Sequence, residues 1–199
     1  MKLAIDFDGT IIDASRRDYA LYVSIMCTMQ HDVLTFEEYW PLRKQSVILG
    51  KLLAMTGCTD VGRYAALRHL HAEDEAFQIH NSMLPGAFEA LERLSRHHSC
   101  YLVTARANRE NLLREVKQFD LERFFVQIVN TAGPKLQALK DLGIEAIIGD
   151  TENDVEPALA LGIKSIAVTS GIRSRAFLES FLPDMILENI SEVPNTILT

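Results

Sequence analysis

The chain has 199 residues, of which 48% are hydrophobic, and it carries a formal net charge of −7. This length suits one large domain or a core with an insertion, and the acidic balance argues against nucleic acid as the main partner. The three cysteines lack the CxxC spacing of a structural zinc site, and no apolar run approaches the ~18 residues of a membrane helix. Because the first residues also lack a signal-peptide pattern, we expect a cytoplasmic protein with no membrane partner. We expect it to be a monomer or a homodimer.

Short strand-like runs alternate with helical stretches through most of the chain. Periodicity predicts helices over 87–97, 107–118, 134–142 and 154–161, and the last two are each followed by a glycine that can end a helix. Strands alternating with helices predict an α/β fold with a doubly wound parallel sheet. The predicted strands are 3–5, 99–103, 125–129, 146–148, 165–168 and 185–187.

One segment, 14–84, departs from this alternation because it contains no convincing strand. Its helical patterns, around 15–30, 35–40, 45–56 and 60–80, are interrupted at Pro41 and Gly57. Since such a segment is too long for a loop in a compact domain, we predict a small helical domain inserted after the first strand. The α/β core then comprises 1–13 and 85–199.

Carboxylates follow two of the predicted strands. Asp6 and Asp8 end the first strand, where residues two apart share a face, and Asp150 and Asp154 follow the fourth. The carboxyl ends of parallel strands meet at one edge of the sheet, so we expect these four acids to converge. Like charges at close range resist joint ionisation, and a hard cation removes the repulsion. The sequence therefore predicts a Mg²⁺ site.

Phosphate-binding groups follow the other strands at this edge. Thr104 ends the second strand and is followed by Ala105, while Lys135 opens the helix after the third strand. A hydroxyl, backbone N–H groups and an ammonium all donate to phosphoryl oxygens. An aspartate can attack phosphorus, and a second carboxylic acid can carry the proton to the leaving oxygen.

These motifs, in this order, resemble those of the haloacid dehalogenase-like hydrolase superfamily, and the resemblance covers 1–171. It implies a Rossmann-like core, Mg²⁺ and a helical cap over 14–84, as in the branch of phosphoglycolate phosphatase and β-phosphoglucomutase. By this resemblance the nucleophile is Asp6, the general acid and base is Asp8, and Thr104 with Lys135 binds phosphate. The implied Mg²⁺ ligands are Asp6, the backbone carbonyl of Asp8, Asp150 and Asp154.

Some assignments have alternatives. Lys140 can be proposed in place of Lys135, although it lies inside the helix that Lys135 opens. Asp150 can also cap the helix that follows it. Arg106 is a candidate substrate contact or a solvated arginine at a helix start.

The cap contains a basic stretch that suits an anionic substrate. Arg43 and Lys44 lie between Glu38 and Asp60, where the sequence has no acid. Both are candidate specificity residues, and the alternative is a solvated helix face.

The combined pattern predicts a Mg²⁺-dependent phosphatase that acts on a small phosphorylated metabolite, a phosphomonoester, through an aspartyl-phosphate. One alternative is a sugar-phosphate mutase, which needs the same core. Another is a binding protein of this fold that has lost turnover, because fold alone does not decide function.

Overall fold

The computed structural model describes residues 1–197 and divides into two compact units. The first combines 1–13 with the chain from Ser82 onward, and the second is Ala14–Asn81. The sequence placed the end of the inserted segment at residue 84. Each unit has its own hydrophobic core.

The first unit is built on a six-stranded parallel sheet with the order β5-β4-β1-β6-β7-β8. The prediction of a doubly wound α/β fold is confirmed. The strands are β1 (Lys2–Ile5), β4 (Ser99–Thr104), β5 (Gln127–Asn130), β6 (Ala146–Gly149), β7 (Lys164–Val168) and β8 (Met185–Leu187).

The first unit also contains helices, most of which lie between consecutive strands of the sheet. Gly143 and Gly162 end the helices Leu136–Leu142 and Glu152–Leu161 in the left-handed conformation, with φ of 62° and 65°, as the sequence predicts. The helices are α6 (Ala87–His97), α7 (Arg109–Gln118), α8 (Leu136–Leu142), α9 (Glu152–Leu161), α10 (Arg175–Glu179) and α11 (Val193–Ile197), with 3-10 turns at Glu122–Phe124 and Ile190–Glu192.

The sheet is buried on both faces because alternate residues of its central strands pack in opposite directions. Leu3 and Ile5 of β1 join one apolar cluster with Leu91 of α6, while Ala4 joins another with Leu139 of α8. Helices on both faces explain why the central strands are nearly all apolar.

The chain also forms a separate two-stranded ladder, which the sequence analysis missed. β2 (Ile12–Asp13) pairs antiparallel with β3 (Ser82–Met83) at the two points where the chain passes between the units. The prediction that 14–84 contains no strand is therefore wrong at Ser82–Met83, because two residues are too few to produce a periodic pattern.

The second unit is helical. Its core contains Tyr22, Tyr39, Leu53 and Tyr64. Pro41 lies inside the helix Phe36–Lys44 instead of interrupting it, although proline has no N–H to donate to the preceding turn. No helix within residues 1–197 is long and apolar enough to cross a membrane. The helices are α1 (Ser15–Thr28), α2 (Phe36–Lys44), α3 (Leu49–Ala54), α4 (Val61–His71) and α5 (Glu75–Gln78).

Candidate active site

Two carboxylates follow β1 at the carboxyl edge of the sheet. Asp6 is buried and donates its backbone N–H to the carbonyl of Ile148 on the neighbouring β6 at 2.9 Å. Gly9 then turns the chain with φ of 79°, and its N–H bonds the carbonyl of Ile12 at 2.7 Å. This turn directs the chain out of the sheet just beyond Asp8.

Lys135 binds two of the predicted site carboxylates. Its Nζ donates to Asp6 Oδ1 and to Asp154 Oδ1, each at 2.6 Å. Lys135 is 1% exposed, whereas Lys140 is an exposed residue of α8. Of the two lysines that the sequence left open, the structure places Lys135 among the acids.

Asp6, Asp150 and Asp154 form a buried carboxylate cluster. Each offers one oxygen, and these oxygens all lie within 4.8 Å of one another. The Ile172 N–H donates to Asp150 Oδ2 at 2.7 Å, while Asp150 Oδ1 is buried and has no hydrogen-bond partner among residues 1–197. A buried acceptor without a donor is costly, so this oxygen is a candidate ligand atom.

Asp154 has a second role at the start of α9. Its Oδ2 accepts from the Thr151 N–H at 3.1 Å and from the Thr151 hydroxyl at 2.9 Å, which makes a capping box. The residue that caps this helix is therefore Thr151 and not Asp150, the alternative that the sequence left open. The box leaves Asp154 Oδ1 for Lys135.

Burial and mutual repulsion perturb these acids. Burial, with the carboxylates of Asp154 and Asp8, raises the pKa of Asp6 to about 7, although Lys135 opposes the shift. Burial and the charges of Asp6 and Asp154 also raise the pKa of Asp150 well above its usual value. Three ionised carboxylates carry more negative charge than the Lys135 ammonium offsets, so further positive charge would stabilise the ionised cluster.

The cluster has the chemistry of a site for a hard divalent cation. Mg²⁺ prefers oxygen ligands and is usually bound by one or two carboxylates together with waters and substrate phosphate. Glycine lies against the cluster where a side chain would intrude, because a Cβ at Gly9 or Gly171 would overlap the Asp150 carboxylate. The unpartnered oxygen of Asp150 and this close packing both fit the predicted Mg²⁺.

Thr104 ends β4 at the same edge of the sheet. It is buried, and its carbonyl accepts from the Thr131 N–H at 2.8 Å. Since β4 is the direct neighbour of β1, Thr104 and the exposed Ala105 follow the strand next to Asp6. This placement agrees with the position predicted for the phosphate-binding residues, whose roles stay predictions.

Of the two alternatives for Arg106, the solvated arginine is wrong, because the side chain is only 5% exposed, while the substrate contact stays a prediction. Its Nε and Nη2 donate to Asp8 Oδ2 at 2.7 Å and Oδ1 at 2.6 Å, and its Nη1 donates to Glu115 Oε2 at 2.6 Å. Burial alone would lower the pKa of Arg106, but the carboxylates of Asp8 and Glu115 raise it. Sequence analysis missed Glu115, although an acid on the buried face of α7 is an unusual signal.

Arg43 also has a partner that the sequence did not suggest. Its Nε donates at 3.2 Å to Asp18 Oδ2 of α1, which accepts from the Tyr39 hydroxyl at 2.7 Å. Arg68 donates to the other oxygen of Asp18. The basic stretch contains no acid of its own, but Asp18 supplies one from outside it. Lys44 is a partly buried residue at the end of α2.

A family model described as haloacid dehalogenase-like hydrolase matches residues 3–168. The chain belongs to this family. The membership inferred from the four motifs is thereby confirmed, and with it the prediction of an enzyme.

Individual relatives support the same assignment. The chain is 23% identical to a phosphoglycolate phosphatase of Synechococcus elongatus, over 96% of this chain and 94% of that protein. It is 22% identical to the pyrophosphatase PpaX of Bacillus cereus, over 94% and 92% of the two chains. A haloacid dehalogenase-like hydrolase from Streptococcus pneumoniae has a similar fold, with a TM-score of 0.77 and 21% identity over 96% and 95%. The predicted phosphatase branch of the family agrees with the names of these relatives.

Proposed function

We propose that this protein is a Mg²⁺-dependent phosphatase that hydrolyses a small phosphomonoester through an aspartyl-phosphate at Asp6. The observation that carries the proposal is the ammonium of Lys135 held between Asp6 and Asp154, inside a buried cluster of three aspartates. A fold of this kind can serve other chemistries, so the proposal rests on these side chains and not on the fold.

The residues proposed to hold Mg²⁺ are Asp6, Asp150, Asp154 and the backbone carbonyl of Asp8. When bound, the ion would supply positive charge that offsets the negative charge on the transferring phosphoryl group. Lys135 would contribute in the same sense, because the carboxylates of Asp154 and Asp6 raise its pKa against the effect of burial and keep it an ammonium.

The proposed reaction has two steps at this site. In the first, which requires Asp8 in its protonated form, a carboxylate oxygen of Asp6 forms a bond to phosphorus, the ester P–O bond breaks, and the leaving oxygen takes the proton from Asp8. In the second, water attacks the same phosphorus while Asp8 accepts its proton, which releases phosphate and frees Asp6. Thr104 and the Ala105 N–H would bind the phosphoryl oxygens alongside Lys135.

The substrate class follows from the same groups. A site with one nucleophile, one ammonium and a metal suits a single phosphoryl group on a small molecule. Two relatives bear the names of a phosphoglycolate phosphatase and a pyrophosphatase, so small phosphorylated metabolites of both bond types, ester and anhydride, belong in the substrate screen. The net charge of −7 supports a partner other than nucleic acid.

Hydrolysis of an aryl phosphate, with and without Mg²⁺, tests the proposal. The unaltered protein should release phosphate only with the metal. Asp6→Asn should abolish release, because an amide does not attack phosphorus as a carboxylate does. Asp141→Asn makes the same chemical change at an exposed position of α8 and is the matched control.

Product analysis separates the two alternative functions. A mutase would return the phosphoryl group to a sugar phosphate, so isomerised sugar phosphate without free phosphate would contradict the phosphatase. A binding protein would take up metal and beryllofluoride without turnover on a broad panel of phosphate esters and anhydrides. Full activity of Asp6→Asn would contradict the assigned nucleophile.

A further inference from the structure

Arg106 donates hydrogen bonds to both carboxylate oxygens of Asp8, the predicted proton carrier. Its Nε lies 2.7 Å from Asp8 Oδ2 and its Nη2 lies 2.6 Å from Asp8 Oδ1. Two parallel hydrogen bonds from one planar guanidinium fix the plane of the carboxylate as well as its position, which lysine cannot do.

The guanidinium is itself held in place from the other side. Its Nη1 donates at 2.6 Å to Oε2 of Glu115, on the buried face of α7. Its Cζ also lies 4.7 Å from the centre of the Phe7 ring, within the range of a cation–π contact. Arg106 is therefore fixed by a helix and by the residue between the two aspartates.

The side chains of Asp8, Arg106 and Glu115 differ sharply in their exposure to solvent. The side chains of Arg106 and Glu115 are 5% and 4% exposed, whereas that of Asp8 is 25% exposed. Burying an arginine–glutamate pair carries a desolvation cost, and Glu115 alone would already neutralise the arginine. Of the two carboxylates paired with Arg106, that of Asp8 is the one that solvent reaches.

From this geometry we infer that Arg106 is a positioning residue that orients Asp8 for proton transfer, with Glu115 anchoring Arg106. The inference rests on the proposed function, because it gives Asp8 the proton-carrying role. The Asp8 side chain is 25% exposed, so the leaving oxygen or water can reach it while Arg106 holds it. This role differs from both alternatives that the sequence left open for Arg106, a substrate contact and a solvated arginine.

The dependence on the leaving group distinguishes this role from a structural one. Proton donation matters most for an alkyl alcohol and least for an acidic phenol, which leaves without it. In Arg106→Ala, kcat/KM should fall on the order of 100-fold for alkyl phosphates and less than about 10-fold for an activated aryl phosphate, with KM nearly unchanged. Arg106→Lys should restore only part of the lost kcat/KM, because an ammonium keeps the positive charge but does not donate two parallel hydrogen bonds to the carboxylate. Equal losses on both substrates, or a rise in KM alone, would overturn the inference.

A double variant tests whether Arg106 acts through Asp8. In an Asp8→Asn background, Arg106→Ala should lower the rate on the activated aryl phosphate by less than about two-fold, because the residue it orients is already inactive. If the two losses multiply instead, Arg106 acts on the substrate directly and the inference fails.

Removing Arg106 alone leaves Glu115 buried without its partner, so folding needs its own control. Arg106→Met combined with Glu115→Met removes both charges and keeps apolar volume in the site. This folded double variant should show the same selective loss on alkyl phosphates. Glu115→Gln weakens the contact that holds Arg106, so kcat/KM on alkyl phosphates should again fall selectively, but by a smaller factor. If neither variant shows a selective loss on alkyl phosphates, the inference is contradicted.

The unaltered protein separates failure of this inference from failure of the proposed function. Absence of Mg²⁺-dependent phosphate release by the unaltered protein would reject both. Release by the unaltered protein, together with equal losses on the two classes of substrate in Arg106→Ala, would reject the role of Arg106 alone.

Discussion

The ammonium nitrogen of Lys135 lies 2.6 Å from a carboxylate oxygen of Asp6, and both groups are buried. This contact joins the residue that opens α8 to the end of β1, two points far apart in the chain. The lysine lowers the pKa of Asp6 against the stronger effect of burial. It therefore favours the ionised form that a nucleophile or metal ligand requires.

Replacing Lys135 should weaken both the site and the fold. Lys135→Ala removes the ammonium that bonds Asp6 and Asp154, so we expect phosphatase activity to fall at least about 100-fold. Breaking a buried ion pair should also lower the free energy of unfolding by about 3 kcal/mol in the absence of metal. Activity assays and urea denaturation measure the two effects.

Lys140→Ala is the control for this prediction. The residue is exposed on the same helix, so its activity and stability should match those of the unaltered protein. A loss of activity confined to Lys140→Ala would show that the lysine assignment is wrong.

Divalent metal should stabilise the protein through the carboxylate cluster. A ligand at 100 times its Kd adds about 2.7 kcal/mol, which for a chain of this size raises the melting temperature by about 5 °C or more. Asp150→Asn should abolish this Mg²⁺-dependent shift. It should leave the metal-free protein at least as stable as before, because it removes a carboxylate that Asp6 and Asp154 repel.

Thermal unfolding in MgCl₂ and in NaCl of equal ionic strength measures this effect. Glu156→Gln, at an exposed position of α9, serves as the charge control and should keep the shift. An undiminished Mg²⁺ shift in Asp150→Asn would place the ion elsewhere.

The sheet and the acidic residues at its edge could be predicted because their signals are local. Strands covered on both faces are nearly all apolar, and Asp6 and Asp150 directly follow such strands. The start of β5 was predicted less accurately, because β5 is an edge strand and is only partly buried. The sequence started it at residue 125, whereas the structure starts it at Gln127, because Phe125 follows a 3-10 turn and Val126 is exposed.

The ion pairs could not be predicted from the sequence because their members are distant in the chain. Asp8 and Arg106 are 98 residues apart, and Asp18 and Arg68 are 50 apart. No local periodicity encodes such a pairing, which depends on how strands and helices pack. The sequence indicated Arg43 and Arg106 as candidate substrate contacts but gave no sign of their acidic partners.

Asp18 should make the stability of the protein depend on pH in the acid range. Burial by itself would raise the pKa of Asp18, but Arg68, Arg43 and the Tyr39 hydroxyl lower it to about 2 from a usual 3.8. A lowered pKa stabilises the folded state fully above the unfolded value, and the effect disappears as the pH falls through the folded value. At pH 7 the difference corresponds to about 2 kcal/mol.

Urea denaturation of Asp18→Asn at several pH values tests this pH dependence of stability. The variant should be less stable than the unaltered protein by about 2 kcal/mol at pH 7, and the gap should narrow between about pH 4 and pH 2. Asp32→Asn changes an exposed aspartate of the same helical unit and should show no such gap. A gap that stays constant down to pH 2 would mean that the carboxylate charge does not stabilise this unit.

Gly171 should be needed for metal binding although it has no side chain. A Cβ at this position would overlap the carboxylate of Asp150, which would have to move away from the cluster. We therefore expect Gly171→Ala to weaken Mg²⁺ binding by about 10- to 100-fold, the range typical of residues that position metal ligands, with the fold preserved. Gly133→Ala is the matched control because a Cβ there would meet nothing within 4 Å. Calorimetric titration with Mg²⁺ compares the two variants, and equal affinities would show that Asp150 does not need its present position to hold the ion.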